Sequence, residues 1–495
     1  MDSLAQFEEI ANALDIPSNA DSKGQLSPVF ELTQDAEFFH TPDGDAYASI
    51  PVKGHIETWA LKSRGFKEWL SRRFFLSEGK IPSRQKIRDA LGVLSGKAKF
   101  EGVEREVHIR LVEHAGDIYL DLTDSTWRVV HISRDGWNVI SASEAPVRFH
   151  RRHGMLALPE PVSGGSLDEL RQFVNLGSEE DWVLLASWVV AALRPRGPFP
   201  ILALHGEQGS AKSTTARLLC SLIDPNAAML RSEPRGERDL MIAATNKWLV
   251  TLDNLSKITD RLSDSLCRLA TGAGFATREL RTDTEEIIFN AQRPIILNGI
   301  EEVATRNDLL DRALVLYLPS IPEEKRRVEE EHKRAFEQAR PRILGALMEA
   351  LSTALSNIDS VQLDRLPRLA DFAKWGTAAE PALGLGVGAF MAAYNSNRAD
   401  ANEMVLDSSS IGKSVLALMD SYDKLSVTSG ELLRELNTVA NTDTRKRKDW
   451  PGTPKGMSDA LRRITTTLRA YGVQVQFGRR EAGTGRRLIH LEKVC

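Results

Sequence analysis

A short apolar run, a turn with two glycines and a helical pattern follow one another in the middle of the chain, and this succession constrains the fold most. The run Ile201–His205 (ILALH) is typical of a buried strand. Residues 206–211 (GEQGSA) form the turn, and Lys212–Ile223 places its leucines on one helical face. Short apolar strands then alternate with helices to about residue 319, which predicts an α/β domain built on a parallel sheet.

The turn has the chemistry of a phosphate-binding loop. Gly206 and Gly209 permit positive φ, so successive backbone N–H groups can face one anion, and the following helix adds its dipole. Lys212 would reach the β- and γ-phosphates of ATP, and the Ser213 hydroxyl would hold Mg²⁺, with Thr214 as the fallback ligand. The residues expected around the nucleotide are Gly206, Glu207, Gln208, Gly209, Ser210, Ala211, Lys212, Ser213 and Thr214.

Two later strands support this site, although Ala211 stands where the pattern GxxxxGK[ST] usually has glycine and the turn alone could be a chance match. In residues 247–254 (KWLVTLDN), an apolar run leads to the carboxylate of Asp253, which could bind Mg²⁺ directly or through water. Taken alone, this run could be a core strand that happens to end in Asp. Residues 294–299 (PIILNG) carry Asn298 where a sensor of the γ-phosphate would lie.

The order of these motifs, with Arg312 before a further strand, resembles the AAA+ core of superfamily 3 helicases. The AKS ending of the loop also occurs in replicative AAA+ helicases. More closely, the segment from about residue 165 to 495 resembles the helicase half of primase-helicase replication proteins from phages, plasmids and integrated elements. The resemblance implies an ATP- and Mg²⁺-dependent enzyme with a helical lid, which forms a homo-oligomer, a hexameric ring, around DNA.

The resemblance also implies roles for residues around the site. Arg312 would be the arginine finger that points at the ATP of a neighbouring subunit, with Arg306 as the runner-up, although either could be a surface arginine in a salt bridge. Asn254 stands where the family has a second carboxylate that polarises water. Because Asn cannot take a proton but can orient water, either hydrolysis is slow or another base acts. The expected catalytic residues are Lys212, Asp253, Asn254, Asn298, Arg312 and Arg306.

The interval between Asp253 and Asn298 is where ring helicases carry a β-hairpin that reaches the central channel. Residues 271–282 (TGAGFATRELRT) lie in this interval. Arg278 and Arg281 could hold phosphates, and Phe275 could stack on a base. The alternative is a structural loop with a buried Phe275.

The last segment predicts a DNA-binding winged helix. From Ile411 it shows three helices, the second opened by Thr428 or Ser429 and the third by Ser458, followed by two strands around a turn at residues 481–485. Basic residues crowd this segment although the whole chain has a formal charge of -4. Some winged helices bind protein instead. The arginines expected to contact DNA are Arg462, Arg463, Arg469, Arg479, Arg480, Arg486 and Arg487.

The sequence predicts five segments. They are an N-terminal helix and linker (1–27), an α+β accessory module (28–160), the AAA+ core with its preceding helices (161–320), a helical lid (321–400) and the winged helix (401–495), with a polar interval at 396–410 before the last. In the accessory module, one helical pattern near 66–75 precedes alternating runs at 107–112, 118–122, 127–132 and 137–140. His40, Asp43 and Asp45 are the one cluster in this module that could suggest a primase site, and they are interpreted as a turn. A primase would therefore act from another chain, or the module would serve in ring assembly or DNA contact.

Composition limits the class of protein. Apolar residues make up 42% and charged residues 27%, as in globular chains. Three widely spaced cysteines fit a reducing cytoplasm, and the longest apolar run, residues 182–193, is short of the roughly 20 residues that cross a bilayer. Together with the motifs, this predicts a cytoplasmic ATP-dependent DNA helicase or translocase that replicates a phage or mobile element. No membrane is expected as a partner. The alternative is an ATP-gated DNA-binding switch or defence ATPase that does not unwind DNA.

Overall fold

The computed structural model describes residues 31–255, 258–272, 274–278, 286–289, 291–299, 307–480 and 486–494. These residues fall into two compact units. The first comprises the described residues up to Val112 together with Thr123–Val129 and Ile140–Arg151, and the second comprises Glu113–Leu122, Val130–Val139 and the described residues from Arg152 onward. Over the described ranges, no helix is both long and apolar enough to cross a membrane.

The first unit contains a four-stranded sheet and two helices. Its strands are β1 (Glu37–His40), β2 (Ala46–Val52), β3 (His55–Ala60) and β4 (Val103–Glu104), and its helices are α1 (Arg64–Glu78) and α2 (Arg84–Phe100). The strand order is β3-β2-β1-β4, with β4 parallel to β1. The side chains of Ser63 and Ser83 cap the two helices. Phe66, Leu70 and Phe74 of α1 lie in one core with residues of α2 and β2.

The sequence predicted one helix here and missed α2 and the four strands of this sheet. Helix α2 buries one residue in each turn, Ala90, Leu94 and Ala98, and two of these are small, so its apolar stripe is narrow. The first five residues of β2 are all buried, so this strand lacks the alternation of apolar and polar residues that marks a half-buried strand.

Six short strands follow, and they agree largely with the predicted runs. They are β5 (Val107–His108), β6 (Leu111–His114), β7 (Asp117–Asp121), β8 (Val129–Ser133), β9 (Gly136–Ile140) and β10 (Arg148–Phe149). Strands β6 to β9 form one sheet in that order, and β10 pairs with β5. The run predicted at 107–112 is broken because Arg110 adopts a φ of 62° and the Leu111 N–H bonds back to the Ile109 carbonyl at 2.7 Å.

The second unit contains the predicted parallel sheet. The two helices that precede it are a 3₁₀ helix at Leu167–Phe173, capped by Ser166, and α3 (Glu179–Ala192), capped by Ser178. The elements that follow are β11 (Ile201–His205), α4 (Lys212–Ile223), α5 (Glu237–Asn246), β12 (Val250–Leu255), α6 (Asp260–Thr271), β13 (Phe275–Arg278), β14 (Glu286–Phe289), β15 (Ile295–Gly299), α7 (Asn307–Leu310) and β16 (Ala313–Tyr317).

Strands β12, β15, β11 and β16 lie side by side in that order, and all neighbours are parallel. Strands β11 and β15 are buried almost throughout, which explains their unbroken apolar runs. Because the strands are parallel, their carboxyl ends meet at one edge of the sheet. This edge brings together the glycine turn after β11, Asp253 in β12 and Asn298 in β15.

A 3₁₀ helix (Glu323–Lys325) and three α-helices follow the sheet: α8 (Glu329–Asn357), α9 (Ala370–Ala379) and α10 (Ala389–Ser408), of which only α10 extends beyond the predicted lid. Helix α10 runs through most of the polar interval that was predicted to separate the last two segments. The reason is that Ala401, Val405 and Leu406 are spaced along one face of α10 and are buried against the C-terminal helices. The polar residues between them occupy the other positions of a continuous helix.

The C-terminal segment contains helices and a small antiparallel sheet. Its elements are α11 (Gly412–Met419), β17 (Lys424–Thr428), α12 (Ser429–Val439), α13 (Thr442–Lys446), α14 (Pro454–Ala470), β18 (Val473–Arg480) and β19 (Arg487–Lys493). The sheet order is β17-β19-β18. Thr428 caps α12 as predicted, but Thr453, not Ser458, caps α14. Pro454 suits the first helical position, and the Ser458 hydroxyl instead lies 2.6 Å from that of Ser429.

Candidate nucleotide-binding site

The turn after β11 adopts the conformation that an anion-binding loop requires. Gly206 has a φ of 153° and Gly209 a φ of 83°. A Cβ on Gly206 would lie 2.2 Å from the Leu318 carbonyl oxygen, so this position excludes a side chain. The two glycines therefore allow the backbone to turn sharply between β11 and the start of α4.

Ala211 takes the left-handed conformation, with a φ of 66° and a ψ of 25°, immediately before α4. Glycine is usual in this conformation because a Cβ is strained there. The alanine nevertheless forms the turn into the helix, and the Thr215 N–H bonds to its carbonyl at 2.9 Å. The loop therefore keeps its geometry although Ala211 replaces the glycine that is usual in the motif.

Lys212 closes the loop on itself. Its ammonium donates to the carbonyls of Gly206 at 2.6 Å and Glu207 at 2.7 Å. Partial burial lowers the pKa of the Lys212 ammonium, and the nearby Asp253 carboxylate opposes this shift. A bound phosphate would offer this ammonium a charged partner in place of two neutral carbonyls.

Ser213, Asp253 and Asn298 are joined by hydrogen bonds. The Ser213 hydroxyl donates to Asp253 Oδ1 at 2.8 Å and accepts from Asn298 Nδ2 at 3.2 Å. Asn298 is 2% exposed, so its amide is held in place by the sheet. Mg²⁺ prefers oxygen donors, and the hydroxyl and the carboxylate lie side by side, so these two residues fit the ion.

Asn254 is the residue next to this cluster, and its backbone is unusual. It has a φ of 56° within β12, where the pairing with β15 shifts register between Leu252 and Leu255. Its N–H donates to Asn298 Oδ1 at 3.0 Å, and its side chain is exposed. Asparagine is among the residues that tolerate the left-handed region, so the conformation favours this residue type.

Asn175 is a site residue that the sequence did not indicate. Its amide donates to the Ser210 carbonyl at 3.2 Å and to the Pro319 carbonyl at 2.5 Å. It therefore ties the loop to the segment that leaves β16. The tip of the loop is tied to the same segment, because the Ser320 hydroxyl donates to the Glu207 carboxylate at 2.9 Å. A single asparagine in a loop before Ser178 carries no local pattern that could have revealed this role.

Arg312 lies at the other end of the sheet from the loop. Its carbonyl accepts from the Ile201 N–H at 2.8 Å, at the amino end of β11, whereas the loop follows the carboxyl end. The five residues of β11 span about 16 Å. The Arg312 guanidinium donates to the Asp308 carbonyl at 2.8 Å, so it does not reach the loop of its own chain. Arg306 lies outside the described residues.

The segment 271–282 that was predicted to reach the channel contains strand β13, and the partner strand β14 lies beyond it. Strand β13 pairs with β14 in antiparallel fashion, with Phe275 opposite Phe289 and Arg278 opposite Glu286. The orientations of these side chains lie outside what the structure describes, as does Arg281. The backbone pairing therefore agrees with a hairpin between β12 and β15.

The C-terminal arginines lie mainly at the surface. Arg462, Arg463 and Arg469 are exposed on α14, opposite the buried face that includes Met457 and Leu461. The Arg462 guanidinium lies 4.0 Å from the centre of the Phe477 ring, so it also packs against β18. The remaining predicted contacts flank the turn between the last two strands: Arg479 and Arg480 in β18, Arg487 in β19, and Arg486 just before it.

Two sequence models of one protein family match the chain. The model of the actinomycete integrative conjugative element replication protein matches residues 167–403, and the model of the AICE RepA C-terminal domain matches residues 411–494. Together they cover about two thirds of the chain. The first match contains the loop and the hydrogen-bonded cluster of Ser213, Asp253 and Asn298, and the second contains the basic C-terminal segment.

Solved structures show a more distant similarity. The apo structure of the NrS-1 C-terminal region is 12% identical, with 94% of this chain and 98% of that chain covered and a TM-score of 0.41. A structure described as the active SCCmec type IV Cch helicase is 12% identical, with 92% of each chain covered and a TM-score of 0.44. Both TM-scores lie below the level at which a shared fold is established. No significant match was found among curated protein sequences.

Proposed function

We propose that the chain is a member of the replication protein family of actinomycete integrative conjugative elements, whose two models match it, and that it is an ATP-driven DNA helicase or translocase that replicates such an element. The observation that carries this proposal is the hydrogen-bonded cluster of Ser213, Asp253 and Asn298 beside the glycine loop. A replication protein that binds ATP at this site would use it to move along DNA or to separate its strands.

ATP would bind at the loop through the backbone N–H groups and Lys212. Ser213 and Asp253 would hold Mg²⁺, which neutralises charge on the β- and γ-phosphates. Asn298, fixed by its two hydrogen bonds, would contact the γ-phosphate or the attacking water. Each of these residues lies at the carboxyl edge of the parallel sheet, where ligands of open α/β sheets bind.

The position of Arg312 supports a site shared between subunits. Arg312 lies about 16 Å from the loop of its own chain, the length of β11, so it would meet the ATP of a neighbouring copy. An arginine supplied to a γ-phosphate from another chain stabilises the charge of the transition state. This arrangement fits a closed ring of subunits, as in the AAA+ proteins of superfamily 3, which the motif order resembles.

DNA would be bound by two parts of the chain. In a ring, the β13–β14 hairpin would present Phe275, Arg278 and Arg281 to the central channel. The C-terminal helices and the β17-β19-β18 sheet would form a winged helix with α14 as recognition helix and the turn between β18 and β19 as the wing. The exposed arginines of α14 would then contact phosphates.

The first unit carries no assigned chemistry, so a primase would act as a separate partner.

A second candidate is an ATP-gated DNA-binding switch. The observation that favours it is Asn254, whose exposed amide stands where a carboxylate base would be expected and cannot accept a proton. Slow hydrolysis would then time the assembly on DNA without unwinding it.

Steady-state ATP hydrolysis with and without single-stranded DNA tests the proposal. We expect DNA to stimulate hydrolysis and Lys212→Ala to abolish it, while replacement of the lid lysine Lys325 by Ala leaves both rates unchanged. Hydrolysis that survives Lys212→Ala or is insensitive to DNA would refute the proposal.

A further inference from the structure

The turn before β16 is held by a carboxylate between two arginines. Asp311 is 15% exposed, and its two oxygens accept different partners: Arg398 of α10 at 2.7 Å and Arg368 before α9 at 3.0 Å. Arg398 also donates to the Leu310 carbonyl. The residue that follows in sequence is Arg312.

Helix α10 also forms hydrogen bonds to β16 itself. The amide of Asn397 accepts from the Val315 N–H at 3.2 Å and donates to the Val315 carbonyl at 2.7 Å, in the manner of a neighbouring strand. Neighbouring residues of one helix therefore fix both the edge strand and the turn that precedes it. A shift of α10 would move the turn with it.

The opposite end of β16 touches the loop region. The Gly177 N–H donates to the Tyr317 carbonyl at 3.1 Å, and Asn175 joins the carbonyls of Pro319 and Ser210. The edge strand thus follows Asp311 at its amino end and leads at its carboxyl end into the segment that Asn175 and Ser320 join to the nucleotide loop.

The arginines around the turn differ in their partners. Arg368 and Arg398 occupy both oxygens of Asp311, and among the described residues no carboxylate forms an ion pair with Arg312, whose guanidinium bonds to a carbonyl. A guanidinium bonded to a neutral carbonyl exchanges that partner for a phosphate more readily than one bonded to a carboxylate.

We propose that Asp311 is a positioning residue for Arg312, which it aims at the ATP of a neighbouring subunit through the clamp of Arg368 and Arg398. The inference rests on the proposed role of Arg312 between subunits. In the clamped turn, Arg312 keeps a fixed direction, and none of the carboxylates that the structure describes neutralises its charge.

Asp311→Asn keeps the size of the side chain and removes its charge. We expect kcat for ATP hydrolysis to fall about tenfold, while the affinity for a non-hydrolysable ATP analogue stays within about twofold of the parent. Arg368→Gln removes one partner at the surface and should lower kcat by about threefold, which covers the case that Asp311→Asn does not fold. Arg365→Gln, three residues away and exposed, is the matched control and should change neither quantity.

Mixing of subunits identifies where Asp311 acts. A Lys212→Ala subunit cannot use its own site but still supplies Arg312, so a mixture with Arg312→Ala subunits should be more active than either alone. We expect the mixture of Lys212→Ala with Asp311→Asn to recover activity in the same way. If the Arg312→Ala mixture recovers and the Asp311→Asn mixture does not, Asp311 acts within its own site and the inference is wrong. If the Arg312→Ala mixture also fails to recover, the shared site of the proposed function is wrong, and the inference falls with it.

Discussion

The Ser213 hydroxyl donates a 2.8 Å hydrogen bond to the Asp253 carboxylate, although forty residues separate the two in sequence. The same hydroxyl accepts from Asn298, so one oxygen joins site residues of helix α4 and strands β12 and β15. We expect Ser213→Ala to weaken Mg²⁺-dependent binding of ATP by about tenfold, because the substitution removes one of two oxygen donors for the ion. Titration of a fluorescent ATP analogue with and without Mg²⁺ measures this effect.

Thr214→Ala is the matched control for that substitution. Thr214 is adjacent and half-buried, and it was the fallback ligand in the sequence-based prediction. If Thr214→Ala lost the Mg²⁺ dependence and Ser213→Ala kept it, the assignment of Ser213 would be wrong.

Asn254 offers a test of how water is activated. Aspartate tolerates the left-handed backbone as asparagine does, so Asn254→Asp adds a carboxylate without changing the backbone conformation at this position. We expect kcat for ATP hydrolysis to rise at least about tenfold, because a positioned general base contributes 10²- to 10⁴-fold. Asn254→Gly keeps the conformation and removes the side chain, and its kcat should lie below that of the parent. A kcat for Asn254→Asp no higher than that for Asn254→Gly would show that water is not activated at this position.

The contact between α8 and the segment that precedes the 3₁₀ helix gives a stability test. Pro341 interrupts the hydrogen bonding of α8, its carbonyl accepts from the Val162 N–H at 2.9 Å, and a Cβ on Gly345 would lie 1.9 Å from the Val162 carbonyl oxygen. Gly345→Ala should therefore lower the free energy of unfolding by about 2 kcal/mol, as over-packing does. Gly92→Ala, at an open helical position in α2, should not lower it. Chemical denaturation of both variants measures the difference, and equal stabilities would contradict the close contact.

The salt dependence of DNA affinity tests the exposed face of α14. Replacement of Arg463 and Arg469 by Ala should reduce the slope of log K against log salt by about 2, roughly 0.9 for each phosphate contact. Arg64→Ala, at a fully exposed arginine of α1, is the control and should leave the slope unchanged. These point variants are preferable to truncation near residue 402, because α10 continues to Ser408 and buries Val405 and Leu406. An unaltered slope for the double variant would remove α14 from the DNA interface.

The parallel sheet and the loop could be predicted from sequence because their signals are local. The predicted strand Ile201–His205 and helix Lys212–Ile223 have the bounds seen in the structure, since an apolar run, two glycines and a lysine follow without interruption. Asp253 and Asn298 were predicted from their place near the ends of apolar strands, and parallel pairing brings them together. The hydrogen bond that each makes to Ser213 follows from this meeting of strand ends.

Other features depend on contacts that are distant in sequence, and no local pattern marks them. Asn175 reaches the loop across 35 residues, and Arg398 reaches Asp311 across 87. The left-handed Asn254 arises from a shift of register between β12 and β15, which the residue types alone do not specify. The polar interval inside α10 was misread because its buried residues are few and their partners come from the C-terminal helices.

Strand displacement on a forked DNA duplex in the presence of ATP and Mg²⁺ is the most direct test of the central claim. We expect the parent protein to release the labelled strand and Lys212→Ala to release none, although both bind the fork. ATP hydrolysis by the parent protein without release of the strand would contradict the helicase and would favour the ATP-gated switch.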